Sequence, residues 1–152
     1  MRIRELKITY QPIADTFHGR ARIASAGDAA GYVRPLLQHE SVEVFLIVLL
    51  DTKHQVIAVH TISRGTLDAT LVHPREVFTA ACLVRASAII TAHNHPSGVV
   101  DPSPDDVSLW KRLNQAGQIM GIACLDHLVI GSPTGSYYSA MEHGGMGGWN
   151  TT

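Results

Sequence analysis

Ala86-Ser87-Ala88-Ile89-Ile90-Thr91-Ala92-His93-Asn94-His95-Pro96-Ser97-Gly98 is the stretch on which the reading of this chain turns. Residues 86–92 are small, apolar and β-branched, the composition of a buried strand. Two histidines stand at its C-terminal end, and Pro96-Ser97-Gly98 then turns the chain. Upstream, His73-Pro74-Arg75-Glu76 opens a helix expected to reach about residue 85, because Pro suits the first helical position and an acid suits the first turn. Downstream, Ser103-Pro104-Asp105-Asp106 opens another helix, expected to run to about residue 116 and to stop at Gly117. Helix, strand, helix is the alternation of an α/β layered domain.

The same reading extends outward. Residues 42–50 form an apolar, β-branched run that ends in the turn-like Asp51-Thr52-Lys53-His54, and residues 55–62 follow as its hairpin partner. Arg64-Gly65-Thr66 breaks that pattern, and residues 67–72 read as another short strand. A short helix is expected over residues 25–38 despite Gly27, Gly31 and Pro35, and a last strand over 125–131. Residues 2–10 alternate apolar and polar, the period of an edge strand.

Composition bounds the possibilities. The 152 residues fit one domain, read as residues 1–143 with its core at about 33–142, and the glycine-rich residues 144–152 read as a flexible tail. Hydrophobic residues at 45% and charged residues at 16% exclude wholesale disorder. No apolar run is long enough to span a bilayer, so no membrane partner is expected. Cys82 and Cys124 alone make no disulfide framework, so a reducing cytoplasm is the expected compartment, and both thiols read as core. The net charge is −1 with scattered basic residues, which argues against direct nucleic-acid binding.

Chemistry concentrates at His93 and His95. Positions i and i+2 of an extended chain share a side, so the two imidazoles can converge on one metal ion. Asp106, in the first turn of the following helix, can face back toward them. Two His and one carboxylate leave a fourth position open, the catalytic arrangement for zinc. Glu43 is the one acid in the apolar run at 42–50, where a carboxylate needs a reason, and a general base is one. Ser103 could donate its hydroxyl proton to a developing oxyanion. Plainer readings stand beside these. His-x-His alone supplies only two ligands, Ser103 to Asp106 make a good helix start, and Glu43 could be a solvent-facing strand entry. His73 reads as a helix cap, His54 as a turn residue and His60 as a strand residue, while His18, His39 and His143 stand alone in loops or tail. Asp126-His127 could orient the site or pair locally.

The residues resemble the JAB/MPN metalloprotease signature: a Glu, then His-x-His, seven residues (96–102) and Ser-x-x-Asp. With Val48 to Lys53, Gly65-Thr66-Leu67, His73 to Phe78 and Leu125-Asp126-His127, the text resembles the RadC family. The resemblance implies a three-layer α/β/α sandwich with a mixed sheet, shared with cytidine deaminases. It also implies one zinc per chain held by His93, His95 and Asp106, with Glu43 as base and Ser103 stabilising the oxyanion. The chain departs from the family at Val99-Val100-Asp101-Pro102, where Asp-Pro-Thr-Pro is usual. It departs also in its glycine-rich tail, and residues 1–24 are too short for the helical N-terminal domain that many members carry.

Three functions compete. The first is a zinc-dependent hydrolase of peptide or isopeptide bonds. The second is a non-catalytic MPN-type module that recruits partners in DNA repair. The third is a nucleic-acid enzyme, either a deaminase on the related fold, whose His-x-Glu and Pro-Cys-x-x-Cys are missing, or a nuclease, since His93-Asn94-His95 resembles the HNH nucleases by spelling only.

Overall fold

The computed structural model describes residues 4–11, 21–65 and 72–144. The order of elements is α1 (Ala26–Leu37), β1 (Glu43–Leu50), β2 (Val56–Gly65), α2 (Pro74–Leu83), β3 (Ala88–His95), α3 (Pro104–Met120), β4 (Ala123–Gly131) and β5 (Tyr137–Ser139). Among the described residues, five strands form one sheet in the order β2-β1-β3-β4-β5. β1 runs antiparallel to both β2 and β3, β3 runs parallel to β4, and β4 runs antiparallel to β5. The sheet is therefore mixed, and the expected hairpin is β1 with β2.

Period two sorts the central strands into two cores. Val44, Leu46, Val48 and Leu50 face α1 with Ala88, Ile90 and Ala92, against Ala29, Ala30, Val33 and Leu37. Phe45, Ile47, Leu49 and Ile89 face the other way, against Val77, Phe78 and Ala81 of α2 and Leu109 and Leu113 of α3. One helix below and two above make the three-layer α/β/α sandwich. β1 is buried along nearly its whole length, so it reads as apolar on both faces, as a covered central strand must.

Local chemistry explains the boundaries. The β1–β2 turn is held by Asp51, whose Oδ1 accepts from the backbone of Lys53 (2.8 Å) and Gln55 (2.9 Å). Ser25 caps α1 by accepting from Asp28 N, and His73 caps α2 by accepting from Arg75 N. α3 does not stop at Gly117: it continues to Met120 and ends at Gly121 in the left-handed region. Gly117 serves close approach instead. A Cβ there would lie 2.5 Å from the Ile122 carbonyl oxygen and 3.3 Å from Cys124 Sγ. Gly117→Ala is thus expected to destabilise the protein. Overpacking against backbone costs about 1–3 kcal/mol, more than offsetting the gain of about 1 kcal/mol in helix propensity. A thermal melt at or above the wild-type Tm would contradict that contact.

Three further expectations change. Residues 4–11 form no strand, and Leu6, Ile8 and Tyr10 are 75%, 43% and 61% exposed. Alternation marks a strand only where one face is buried, and here neither is. β2 continues through Arg64 to Gly65, paired as far as Glu43. Cys82 is exposed rather than core, because α2 buries only the stripe of Val77, Phe78 and Ala81. The strand expected at 67–72 falls, apart from Val72, outside the described residues, as do His18 and residues 145–152. Among the described residues, no helix is long and apolar enough to cross a membrane.

Candidate metal centre

β3 delivers the two histidines. Thr91, His93 and His95 alternate onto the α2/α3 face, while Asn94 points to the α1 face. α3 delivers the acid. Its first turn is fixed by a reciprocal cap in which Asp106 N donates to Ser103 Oγ (3.1 Å) and Ser103 N donates to Asp106 Oδ2 (2.8 Å). That cap aims Asp106 inward, and the residue is 3% exposed on an otherwise solvated helix start.

The three side chains meet. His93 Nε2 lies 3.1 Å from His95 Nε2 and 3.3 Å from Asp106 Oδ1, and His95 Nε2 lies 3.4 Å from Asp106 Oδ2. Among the described residues, this is the one cluster of three or more His, Cys, Asp or Glu whose ligand atoms converge. Zinc bonds of about 2.0–2.2 Å in a tetrahedron put neighbouring ligand atoms about 3.3 Å apart. The two nitrogens, and each nitrogen with its nearer carboxylate oxygen, are spaced close to that value, and one ligand atom from each residue lies within 4.8 Å of the others, so the residues fit a metal ion.

The surroundings orient His95 and Asp106. His95 Nδ1 is 2.7 Å from the Val99 carbonyl, which can only accept, so Nδ1 carries a proton and Nε2 is the nitrogen that would bind an ion. Gly98 makes this possible: at φ 81° it turns the chain so that Val99 returns to the ring. The hydrogen bond to Asp106 raises the His95 pKa, against the lowering effect of burial. Burial pushes the Asp106 carboxyl up, but hydrogen bonds from His93 and His95 overcome it and hold the group well below the usual carboxylate range. His93 is almost fully buried and stacks on Phe45 at 6.1 Å. Its Nδ1 has no hydrogen-bond partner among the described residues.

Glu43 begins β1 and is half-buried. The antiparallel ladder pairs Phe45 with His93, and the same register carried two residues further sets Glu43 opposite His95. Both lie on the ligand face, and the charge of Glu43 acts on His95. Ser103 is exposed; its Oγ accepts from Asp106 N, which leaves its own proton to donate.

Asn94 was missed in the sequence. It is fully buried between the two histidines, and its Oδ1 accepts from Val44 N at 2.7 Å. Its Nδ2 donates to the Val42 carbonyl at 2.9 Å, and is 3.3 Å from both the Glu40 carbonyl and Ser132 Oγ. These bonds grip the backbone on both sides of Glu43. Strand alternation carried the signal, since a polar side chain inside an apolar face must find partners. Asn94→Ala strands the buried Val44 N–H, at about 1–3 kcal/mol. Urea unfolding should register that loss, and an unchanged midpoint would show the grip to be idle.

Asp126 pairs locally: Ser139 Oγ donates to it at 2.6 Å, and Met141 N and His127 N also donate. His127 is fully buried, stacked on Trp110 at 5.3 Å, with Nδ1 2.7 Å from Thr91 Oγ1 and Nε2 3.2 Å from Asn114 Oδ1. Burial, then the charge of His93, pushes its pKa down to about 3. The unfolded chain therefore takes up a proton near pH 6.5 that the folded chain refuses. Stability is expected to fall with pH from about 6.5 toward about 3, at about 1.4 kcal/mol per unit from this group. Urea titrations of the metal-free protein across that window should show the slope, and His127→Gln should flatten it; an equal slope in both would contradict the assignment.

A three-layer α/β domain with His-x-His ending a central strand and an inward aspartate opening the next helix defines the JAB class. A family model described as a RadC-like JAB domain matches residues 23–146. The chain belongs to the RadC family. It is 47% identical over 122 residues to a UPF0758 protein of Alkaliphilus oremlandii (strain OhILAs), covering 80% of this chain and 52% of that one. It is 46% identical over 126 residues to a UPF0758 protein of Rubrobacter xylanophilus, covering 83% and 54%. It is 50% identical over 113 residues to another from Symbiobacterium thermophilum, covering 74% and 47%. The chain thus spans about half the length of these relatives, whose names state no activity.

Proposed function

We propose that this chain is a zinc-dependent hydrolase of peptide or isopeptide bonds, with one zinc held by His93, His95 and Asp106. The observation that carries the reading is the convergence of one ligand atom from each of the three residues, all within 4.8 Å of one another, with a fourth position left open by a three-ligand set. When bound there, zinc supplies Lewis acidity and brings the ionisation of water into the neutral range.

The chain's own residues do the rest. The Glu43 carboxylate takes a proton from the attacking water and delivers it to the leaving amine nitrogen, so that amide plus water gives acid plus amine. Ser103 Oγ donates its hydrogen to the carbonyl oxygen of the substrate as negative charge develops on it. Asn94 holds the strand entry that carries Glu43, and Val99 holds the His95 ring.

The test is an assay of the purified chain against a panel of isopeptide- and peptide-linked substrates, before and after chelation and after zinc is restored. Cleavage that disappears with the metal and returns with it supports the reading. A chain that holds zinc and cleaves none of the panel would favour the recruitment module instead.

A further inference from the structure

Helix α3 carries Asp106, Trp110 and Asn114 at steps of four residues. Each such step overshoots one full turn by only about 40°, so the three lie along one face of the helix. That face is keyed to a single residue of the sheet. Trp110 stacks on the His127 ring with an interplanar angle of 10°, and Asn114 Oδ1 lies 3.2 Å from His127 Nε2. Asn114 Oδ1 accepts, so Nε2 carries the proton, and Nδ1 is left to accept from the Thr91 hydroxyl at 2.7 Å. Thr91 stands two residues before His93 on the same strand face and pairs with His127 in the parallel ladder. The clasp therefore ties α3 to β3 and β4 one and two turns beyond Asp106.

We propose that Thr91, His127 and Asn114 are positioning residues for the metal centre: they set the height and rotation of α3 over the sheet and so hold Asp106 where His93 and His95 need it. This rests on the reading of that centre as a zinc site. The geometry makes the clasp more than a buried polar pair. Asp106 is the one ligand of the three that comes from outside β3, so its distance to the histidines depends on where α3 sits. The cap at Ser103 orients the first turn but ties it only to itself.

The test is zinc titration of the metal-free full chain against a competing chelator, with Tm measured on the same samples. The variants are Thr91→Val, Asn114→Ala and His127→Phe. Val33→Ala, in the core beneath the opposite face of the sheet, is the control for simple loss of stability. The clasp variants are expected to bind zinc about 10- to 100-fold more weakly, the range for groups that support ligands. The control should lose at least as much Tm yet bind zinc within about twofold of wild type, as distant sites behave independently. Thr91→Val and Asn114→Ala carry the test if His127→Phe does not fold. Clasp variants that bind zinc like wild type, or a control that weakens zinc equally, would overturn the proposal while the zinc reading stands. A wild-type chain that binds no zinc would remove both.

Discussion

Glu43→Gln is expected to keep a full equivalent of zinc and to lose hydrolysis by about 10²- to 10⁴-fold, the usual contribution of a positioned general base. The amide fills the same space at the start of β1 and leaves the ladder to β2 and the Asn94 grip intact, so the loss is chemical rather than structural. Steady-state rates on a substrate that the wild type cleaves, paired with metal analysis of the same preparation, check it. A Glu43→Gln chain that cleaves as fast as wild type would remove Glu43 from the mechanism.

Asp106→Asn is expected to show a different signature, losing zinc and hydrolysis together. The carboxylate is the only charged ligand of the three, held ionised by hydrogen bonds from both rings. Replacing it with a neutral amide should weaken zinc by more than about 100-fold, beyond the loss when a supporting group is removed. Asparagine keeps an oxygen that can accept from Ser103 N, so α3 still starts in the same place. Equilibrium dialysis followed by metal analysis reads the effect, and full zinc retention by this variant would show that Asp106 is not a ligand.

Much of this was legible in the sequence because the signals were local. The apolar stretch before His93, the Pro-Ser-Gly turn after His95 and the cap at Ser103 each depend on near neighbours, and each stands where expected. Glu43 could be flagged as an acid in an apolar run, but what sets it opposite His95 is the antiparallel register of β1 on β3, a pairing across 50 residues of chain that no local pattern encodes. Gly117 misled for a related reason. Glycine near the end of a helix reads as a stop, whereas its role is to let α3 lie against Ile122 and Cys124. β5 has three residues, too few for a period to show. The His127 clasp joins three elements and left no trace beyond the pair Asp126-His127.

The central claim is that His93, His95 and Asp106 together hold one catalytic zinc. It is tested most directly by metal analysis of the chain purified without added metal and again after zinc loading and dialysis. The account predicts about one zinc per chain, released when Asp106 is replaced by asparagine. A wild-type chain that retains no zinc after loading would contradict it.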